Sequence, residues 1–280
     1  MAKQIVSQTF GNAWIALLDR LVTRGEESSP RNLKTKEILN ASITVKNSLH
    51  NILVSSARDL NYRFMVAEWL WILAGLNDVN VLAQYNSQMK QFSDNGEILS
   101  GAYGPRLMPQ IPYVLESLKK PDSRQAVATI WTPSPQDSKD IPCTISLQWL
   151  IRQGKLHCIA NMRSSDIWLG LPYDFFTFSQ ITNYLASLIK IDVGSLSMNL
   201  GSSHLYENHW EPAILALRGQ TKTARSPRIP SVPLPDLKRL LNQEDTAAQH
   251  GEFWDTYREA LSHNKAHALD ILGEFGETHK

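Results

Sequence analysis

The sequence predicts an α+β fold on three observations. An amphipathic helix opens the chain, three strand-like runs follow closely between residues 125 and 162, and a long apolar helix comes after them. Residues 8 to 23 place Phe10, Trp14, Leu17, Leu18 and Leu21 at helical spacing, with Gly25 as the stop. From Glu37 to Val45 the core ILNASITV is β-branched and bounded by polar loops, which predicts a strand. A second helix is expected from Asn61 to Ala74, ended by Gly75. After SGAYGPRLMPQIP comes a short helix to about Lys119. The runs QAVATIWT, CTISLQWLI and KLHCIANM are then spaced as hairpins or sheet neighbours are. Phe175, Phe178, Ile181, Leu185 and Leu188 mark a helix from Asp174 to Lys190 that should be buried. A strand is expected from about Val193 to Leu200, and HLYENHWEPAILAL should begin another helix. Four prolines in the twelve residues SPRIPSVPLPDL exclude regular structure there, and the tail after Pro235 reads as helical and amphipathic.

With 280 residues and 42% hydrophobic content the chain can bury a large core. A formal charge of +1, with lysines and arginines dispersed, gives no basic stripe of the kind that tracks a nucleic-acid backbone, so a free nucleotide is a better partner than a polymer. Only Cys143 and Cys158 are available for a disulfide, and MAKQIVSQTFGNAW has no signal-like apolar core. The longest apolar run, FMVAEWLWILAGL, is too short to span a bilayer comfortably and carries Glu68 near its centre. A soluble protein in a reducing cytoplasm, without membrane or nucleic-acid partners, is the expectation.

The middle of the chain clusters Pro142-Cys143, Arg163-Ser164-Ser165-Asp166 and then LGLPYD. A lone cysteine at a strand start is more often a small buried hydrophobe than a nucleophile. It becomes a nucleophile where a positive neighbour favours its thiolate, which Arg163 would supply if the two strands pair. With GEESSPRNLKTKEILN, AEWLWILAG, GAYGPR, PDSR, PCT, NMRSSDIWLGLPYD and GSSHLYENHWE in order across about residues 8 to 217, the chain resembles the thymidylate synthases and their relatives, the pyrimidine-nucleotide hydroxymethylases.

The resemblance implies the thymidylate synthase fold, a mixed β-sheet packed with helices, in a sheet-to-sheet homodimer. It also implies a single catalytic domain over 1–280, with a divergent proline-rich and helical region at about 220–280. The implied co-substrate is 5,10-methylenetetrahydrofolate, with no metal. Cys143 would add to C6 of the pyrimidine, making C5 an enamine-like carbon that attacks the folate's methylene group. Glu68 would organise water and proton transfers around base and folate; without the resemblance it reads as a buried carboxylate paired with an arginine. Phosphate recognition would fall to Arg31, Arg163 and Arg124, with Ser164 adding a hydroxyl and Arg124 reaching the partner subunit's site. Gln125 stands where many relatives carry a second arginine. His204 and Tyr206 match the pair that holds the sugar 3′-hydroxyl. Asp166 matches the pterin-binding aspartate, Gly170 and Tyr173 match positions beside the cofactor, and Tyr103 on the GAYG turn is placed to reach the site's water.

Asp174 stands where synthases acting on deoxyuridylate carry asparagine. An asparagine amide donates to uracil O4 and accepts from N3–H, whereas an ionised carboxylate accepts from the cytosine amino group and repels O4. Mismatched buried polar pairs cost roughly 1–3 kcal/mol, about ten- to hundredfold in discrimination. Protonation of Asp174 or of N3 completes the second bond. Thr144, Met162 and Ser202 replace a usual histidine, glutamine and aspartate, and all three resemble deoxycytidylate hydroxymethylases. In those enzymes water, and not folate hydride, captures the exocyclic methylene, so the site must admit water. NDVNVLAQYNSQMKQF lacks the synthases' tryptophan, and the terminal EFGETHK is unlike their apolar tail. The resulting expectation is a dCMP 5-hydroxymethyltransferase. The alternatives are a thymidylate synthase or dUMP hydroxymethylase, a CMP hydroxymethylase, and a non-enzymatic folate- or nucleotide-binding regulator.

Overall fold

The computed structural model describes residues 3–133, 137–231, 234–244, 251–263 and 268–272. The expectation placed on EFGETHK lies outside them.

Strand β1 (Lys3–Ser7) leads into helix α1 (Phe10–Arg24), whose first turn is capped by Thr9 accepting from the Asn12 amide. The predicted stripe of Phe10, Trp14, Leu17, Leu18 and Leu21 is fully buried, and the Gly25 amide closes the helix on the Leu21 carbonyl. Short β2 (Glu26–Ser28) and long β3 (Thr35–Val45) follow, then β4 (Ile52–Ser55) and α2 (Tyr62–Leu73). The α2 helix ends where Gly75 takes φ +70°, a left-handed conformation that favours glycine. Helices α3 (Val79–Ala83), α4 (Gly104–Leu107) and α5 (Ile111–Leu118) lead to the central strands.

Strands β5 (Val127–Thr129), β6 (Thr144–Arg152) and β7 (Lys155–Asp166) are antiparallel neighbours in turn. The β6–β7 turn is Gln153-Gly154, both at positive φ as a two-residue hairpin turn requires. Helix α6 (Leu171–Ile189) crosses back to β8 (Asp192–Tyr206), which pairs parallel to β7 and antiparallel to β3. The main sheet therefore runs β1-β3-β8-β7-β6-β5, with β2 on β3, and is mixed. Helix α7 (Trp210–Arg218), strand β9 (Thr221–Ala224, paired with β4), α8 (Leu237–Leu241) and α9 (Glu252–Ser262) complete the named elements.

Three expectations are corrected. QAVATIWT forms only three residues of strand, because the Ile130 and Trp131 amides both turn to the Ile145 carbonyl and end the ladder. Helix α6 starts at Leu171, with Pro172 in a first turn whose amides need no intrahelical partner. His204, Leu205 and Tyr206 belong to β8 and not to a helix, because β3 and β7 pair with it on either side as far as His204.

Helix α6 is buried along most of its length, and Phe175 stacks on Phe10 at 4.2 Å between ring centroids. The Trp14 indole donates to the Ile167 carbonyl at 2.7 Å, which ties α1 to the segment joining β7 to α6. The proline-rich stretch has neither helix nor strand among its described residues until Leu237 opens α8, yet α6 holds it. Asn183 donates to the Pro227 carbonyl and accepts from the Ile229 amide, and Asn51 links Ser179 to Ser226. Both free cysteines, Cys143 and Cys158, sit in this body of sheet and helices. Among the described residues no helix is long and apolar enough to cross a membrane.

Candidate active site

The β6–β7 hairpin brings Cys143 and Arg163 together, as strand pairing required. The Arg163 amide donates to the Cys143 carbonyl at 2.8 Å. Its guanidinium donates to the carbonyls of Pro142 and Ile141, both at 2.9 Å, to Ser164 Oγ at 3.1 Å and to Cys143 Sγ at 3.8 Å. A guanidinium has five N–H donors, so these four contacts leave one uncommitted. Ser164 Oγ approaches the same sulfur at 3.6 Å. Burial pushes the Cys143 thiol pKa up, while Ser164 and Arg163 pull it down and Asp174 and Asp140 push it further up. Arg163 thus acts on the sulfur as expected, but desolvation outweighs it.

A cleft of ≈ 140 Å³ has Glu68, Tyr103, Asp140, Asp174 and Thr177 among its lining residues, two of which, Asp174 and Asp140, act by charge on the cysteine. Glu68 enters from α2, where the run of apolar neighbours places it in a poorly solvated wall. Burial first, and the Asp174 charge second, push its pKa up to about 8. Asp174 projects from the first turn of α6, and burial pushes its pKa up to about 7. Tyr103 stacks on Phe178 at 6.3 Å, and its hydroxyl is held well above the usual phenol range by burial and then by Asp174 and Cys143. These three therefore share one site with the cysteine. Leu82 and Met89, from the segment without tryptophan, give the cleft part of its apolar wall.

A second group gathers at the end of β8. Arg31, in a left-handed turn at φ 53°, donates to the Tyr206 hydroxyl at 3.4 Å, and His204 meets Tyr206 edge to face at 5.2 Å. Burial lowers the His204 pKa, with Asp166 and Glu37 opposing. His204 lies in register with Asp166 on β7 and with Glu37 on β3. Asp166 Oδ1 accepts from the Trp168 and Leu169 amides, both at 2.8 Å, which shapes the turn into α6. Its Oδ2 is buried without a partner among the described residues, an acceptor left for a ligand's N–H.

Gly170 is the N-cap of α6, and a Cβ there would stand 3.6 Å from Asp174 Oδ2, so its bare backbone keeps open the space beside that carboxyl. The Tyr173 hydroxyl accepts from the Asn61 amide at 3.0 Å, and its ring meets Phe64 edge-on at 5.3 Å. Arg124 is not brought to this group. It is exposed just before β5, and its one described bond is its carbonyl accepting from Gln148.

Sequence reasoning missed Glu37, Asp140, Thr177 and Arg58. Ser202, where an aspartate was expected, donates to Glu37 Oε1, so the neighbouring strand brings a carboxylate to that place. Arg58 donates to the Trp168 carbonyl at 2.7 Å and lies over the Trp168 and Tyr173 rings at 5.7 and 6.0 Å. No short-range pattern marks these four; cross-strand register and chain crossing place them.

Residues 12–250 match the family model described as thymidylate synthase. The chain belongs to the thymidylate synthase family. It is also 35% identical over 214 residues to a deoxyuridylate hydroxymethyltransferase of Bacillus phage SP01, an overlap covering 69% of this chain and 56% of that protein. The chain therefore spans little more than half the length of that relative.

Proposed function

We propose that this protein is a folate-dependent dCMP 5-hydroxymethyltransferase. The observation that carries the reading is Cys143 beside Arg163 and Ser164, near enough to the cleft carboxyls Asp174 and Asp140 for their charges to act on its thiol, with Asp174 a carboxyl whose pKa is about 7. Near neutral pH a large share of Asp174 is the protonated acid. Its O–H then donates to cytosine N3, and its carbonyl oxygen accepts from the 4-amino group.

The Cys143 thiolate adds to C6, and C5 attacks the methylene carbon of 5,10-methylenetetrahydrofolate. Loss of the C5 proton and departure of tetrahydrofolate leave an exocyclic methylene, which water captures. Glu68, protonated below about pH 8, donates hydrogen bonds around base and folate. Arg31 and the free donor of Arg163 hold the phosphate, and Ser164 assists. His204 and Tyr206 hold the sugar hydroxyl. On the folate side, the orphaned Asp166 Oδ2 suits a pterin N–H, with Gly170 and Tyr173 beside it. The catalytic unit is a homodimer joined through the open sheet face, where Leu39 is 70% and Val6 53% exposed. Arg124 of each subunit completes the phosphate site of the other.

The neutral Asp174 acid also matches uracil, donating to O4 and accepting from N3–H. Together with the deoxyuridylate activity in the relative's name, this makes dUMP hydroxymethylation the second reading. The test supplies methylenetetrahydrofolate with dCMP, dUMP or CMP and follows nucleotide mass and dihydrofolate absorbance. Hydroxymethyl on dCMP without dihydrofolate is expected. Methyl on dUMP with dihydrofolate would overturn the proposal.

A further inference from the structure

Three carboxyl side chains line the cleft: Glu68, Asp174 and Asp140. The first two have parts in the reading above, and Asp140 has none. We propose that Asp140 is a further catalytic residue, the base that orients the attacking water and takes its proton as that water adds to the exocyclic methylene. This inference rests on the hydroxymethylase reading of the same site.

The geometry supplies what a base needs, a carboxylate held in one direction. Oδ2 accepts from the Gly101 amide at 2.7 Å. The other oxygen has no hydrogen bond among the described residues, and the side chain borders the cleft. The backbone beneath is fixed from both sides. The Asp140 amide donates to Ser138 Oγ at 3.0 Å, and the Lys139 amide donates to Asp94 at 3.0 Å. Gly101 closes onto this loop so tightly that a Cβ would stand 2.5 Å from the Asp140 carbonyl oxygen and 3.0 Å from the Pro142 nitrogen, which only glycine permits.

Asp140 is three residues before Cys143 and is close enough for its charge to disfavour the thiolate. When Sγ is bonded to C6, the methylene on C5 is two carbons from that bond, and Asp140 borders the cleft near the same sulfur. Burial also lifts the Asp140 pKa above its ordinary range, which makes it a stronger base. The other two carboxyls suit the task less. Glu68 holds its proton until about pH 8, and Asp174 faces the pyrimidine edge.

The step balances without any redox partner. The water oxygen bonds to the methylene carbon, and one water proton passes to Asp140. The exocyclic C=C pair moves to C5 and forms C5=C6 as the C6–S bond breaks, expelling the Cys143 thiolate with its electron pair.

The experiment uses dCMP tritiated at C5 with methylenetetrahydrofolate and 2-mercaptoethanol as a competing trap. Tritium release counts methylene formed, and mass spectrometry counts hydroxymethyl product and thioether adduct. In Asp140→Asn the ratio of hydroxymethyl product to tritium released should fall at least tenfold, with the thioether taking its place. Asp140→Ser, which also keeps an acceptor for the Gly101 amide, should do the same and serves if the asparagine variant does not fold. An unchanged ratio in either folded variant overturns the inference. A wild-type protein that releases no tritium overturns instead the functional reading on which it rests.

Discussion

Replacing Arg163 by glutamine isolates what its charge does for the nucleophile. The guanidinium is 3.8 Å from Cys143 Sγ. Two opposite unit charges at about 4 Å attract by about 1 kcal/mol in water and about 4 kcal/mol at an effective dielectric of 20. Arg163 is exposed, so the lower figure applies, which is about a fivefold change in the thiolate population. The assay is pulse alkylation with iodoacetamide at pH 7, read by peptide mass mapping. Cys158 provides an internal control, because it is 1% exposed and its thiol is pushed up to about 12. Arg163→Gln should slow Cys143 labelling about fivefold, Arg163→Lys should stay near the wild-type rate, and Cys158 should be labelled only after denaturation. Since Arg163 also holds the Pro142 and Ile141 carbonyls, equal slowing by Gln and Lys would mean that loop position, and not charge, sets the reactivity. Either that result or unslowed labelling in Arg163→Gln refutes the electrostatic argument.

Glu68 has a pKa of about 8 in the fold against 4.5 in a free chain, so the folded state keeps a proton that the unfolded state sheds. Its stabilising contribution is complete below pH 4.5 and is lost as pH rises to about 8. Glu68→Gln should melt like the wild type at pH 4.5 and be more stable at pH 9, by up to about 5 kcal/mol; parallel melting curves would contradict this. Asp174→Asn should move the kcat/KM preference from dCMP toward dUMP by about tenfold or more in competition assays, and an unmoved preference would remove Asp174 as the base reader. Trp14→Phe leaves the buried Ile167 carbonyl without its donor, and should cost roughly 2 kcal/mol and lower Tm by roughly 4–8 °C in calorimetry.

Local periodicity made the helices legible. The α1 stripe and the α6 apolar run are burial patterns that a single segment encodes, and both are buried in the fold except for Leu188 near the end of α6, which is 40% exposed. The β6–β7 hairpin was legible for the same reason, because two strand runs around Gln153-Gly154 leave little choice of partner. What stayed hidden depends on distant pairing. TKTA reads as a polar linker until β4 supplies its hydrogen bonds. HLY, beside a helix-forming segment, stays extended because β3 pairs with all three residues and β7 with the first. The site divides in the same way. Cys143, Arg163 and Ser164 came from motifs on adjacent strands. Glu37 reaches Ser202 only through the β3–β8 register, and Asp140 reaches Gly101 only because two loops close on each other.

Proton placement gives the cleft its character. Glu68, Asp140 and Asp174 all have pKa values raised by burial, and the Cys143 thiol is raised beside them. Only Arg163 and Ser164 pull the thiol toward its charged form, so the protein groups around it favour protons over charge. On the proposed reading, attack at C6 places negative charge on the pyrimidine ring, and a neutral Asp174 acid donates a hydrogen bond to that ring. A site built for hydride capture would gain from excluding water around such groups. The proposed hydroxymethyl transfer asks for the opposite: acids at Glu68 and Asp174 that keep their protons to meet developing charge, and at Asp140 an oriented acceptor toward the same space. Donor groups that steady the ring, opposed to one acceptor that steers water, are what carbon–oxygen bond formation at the methylene demands.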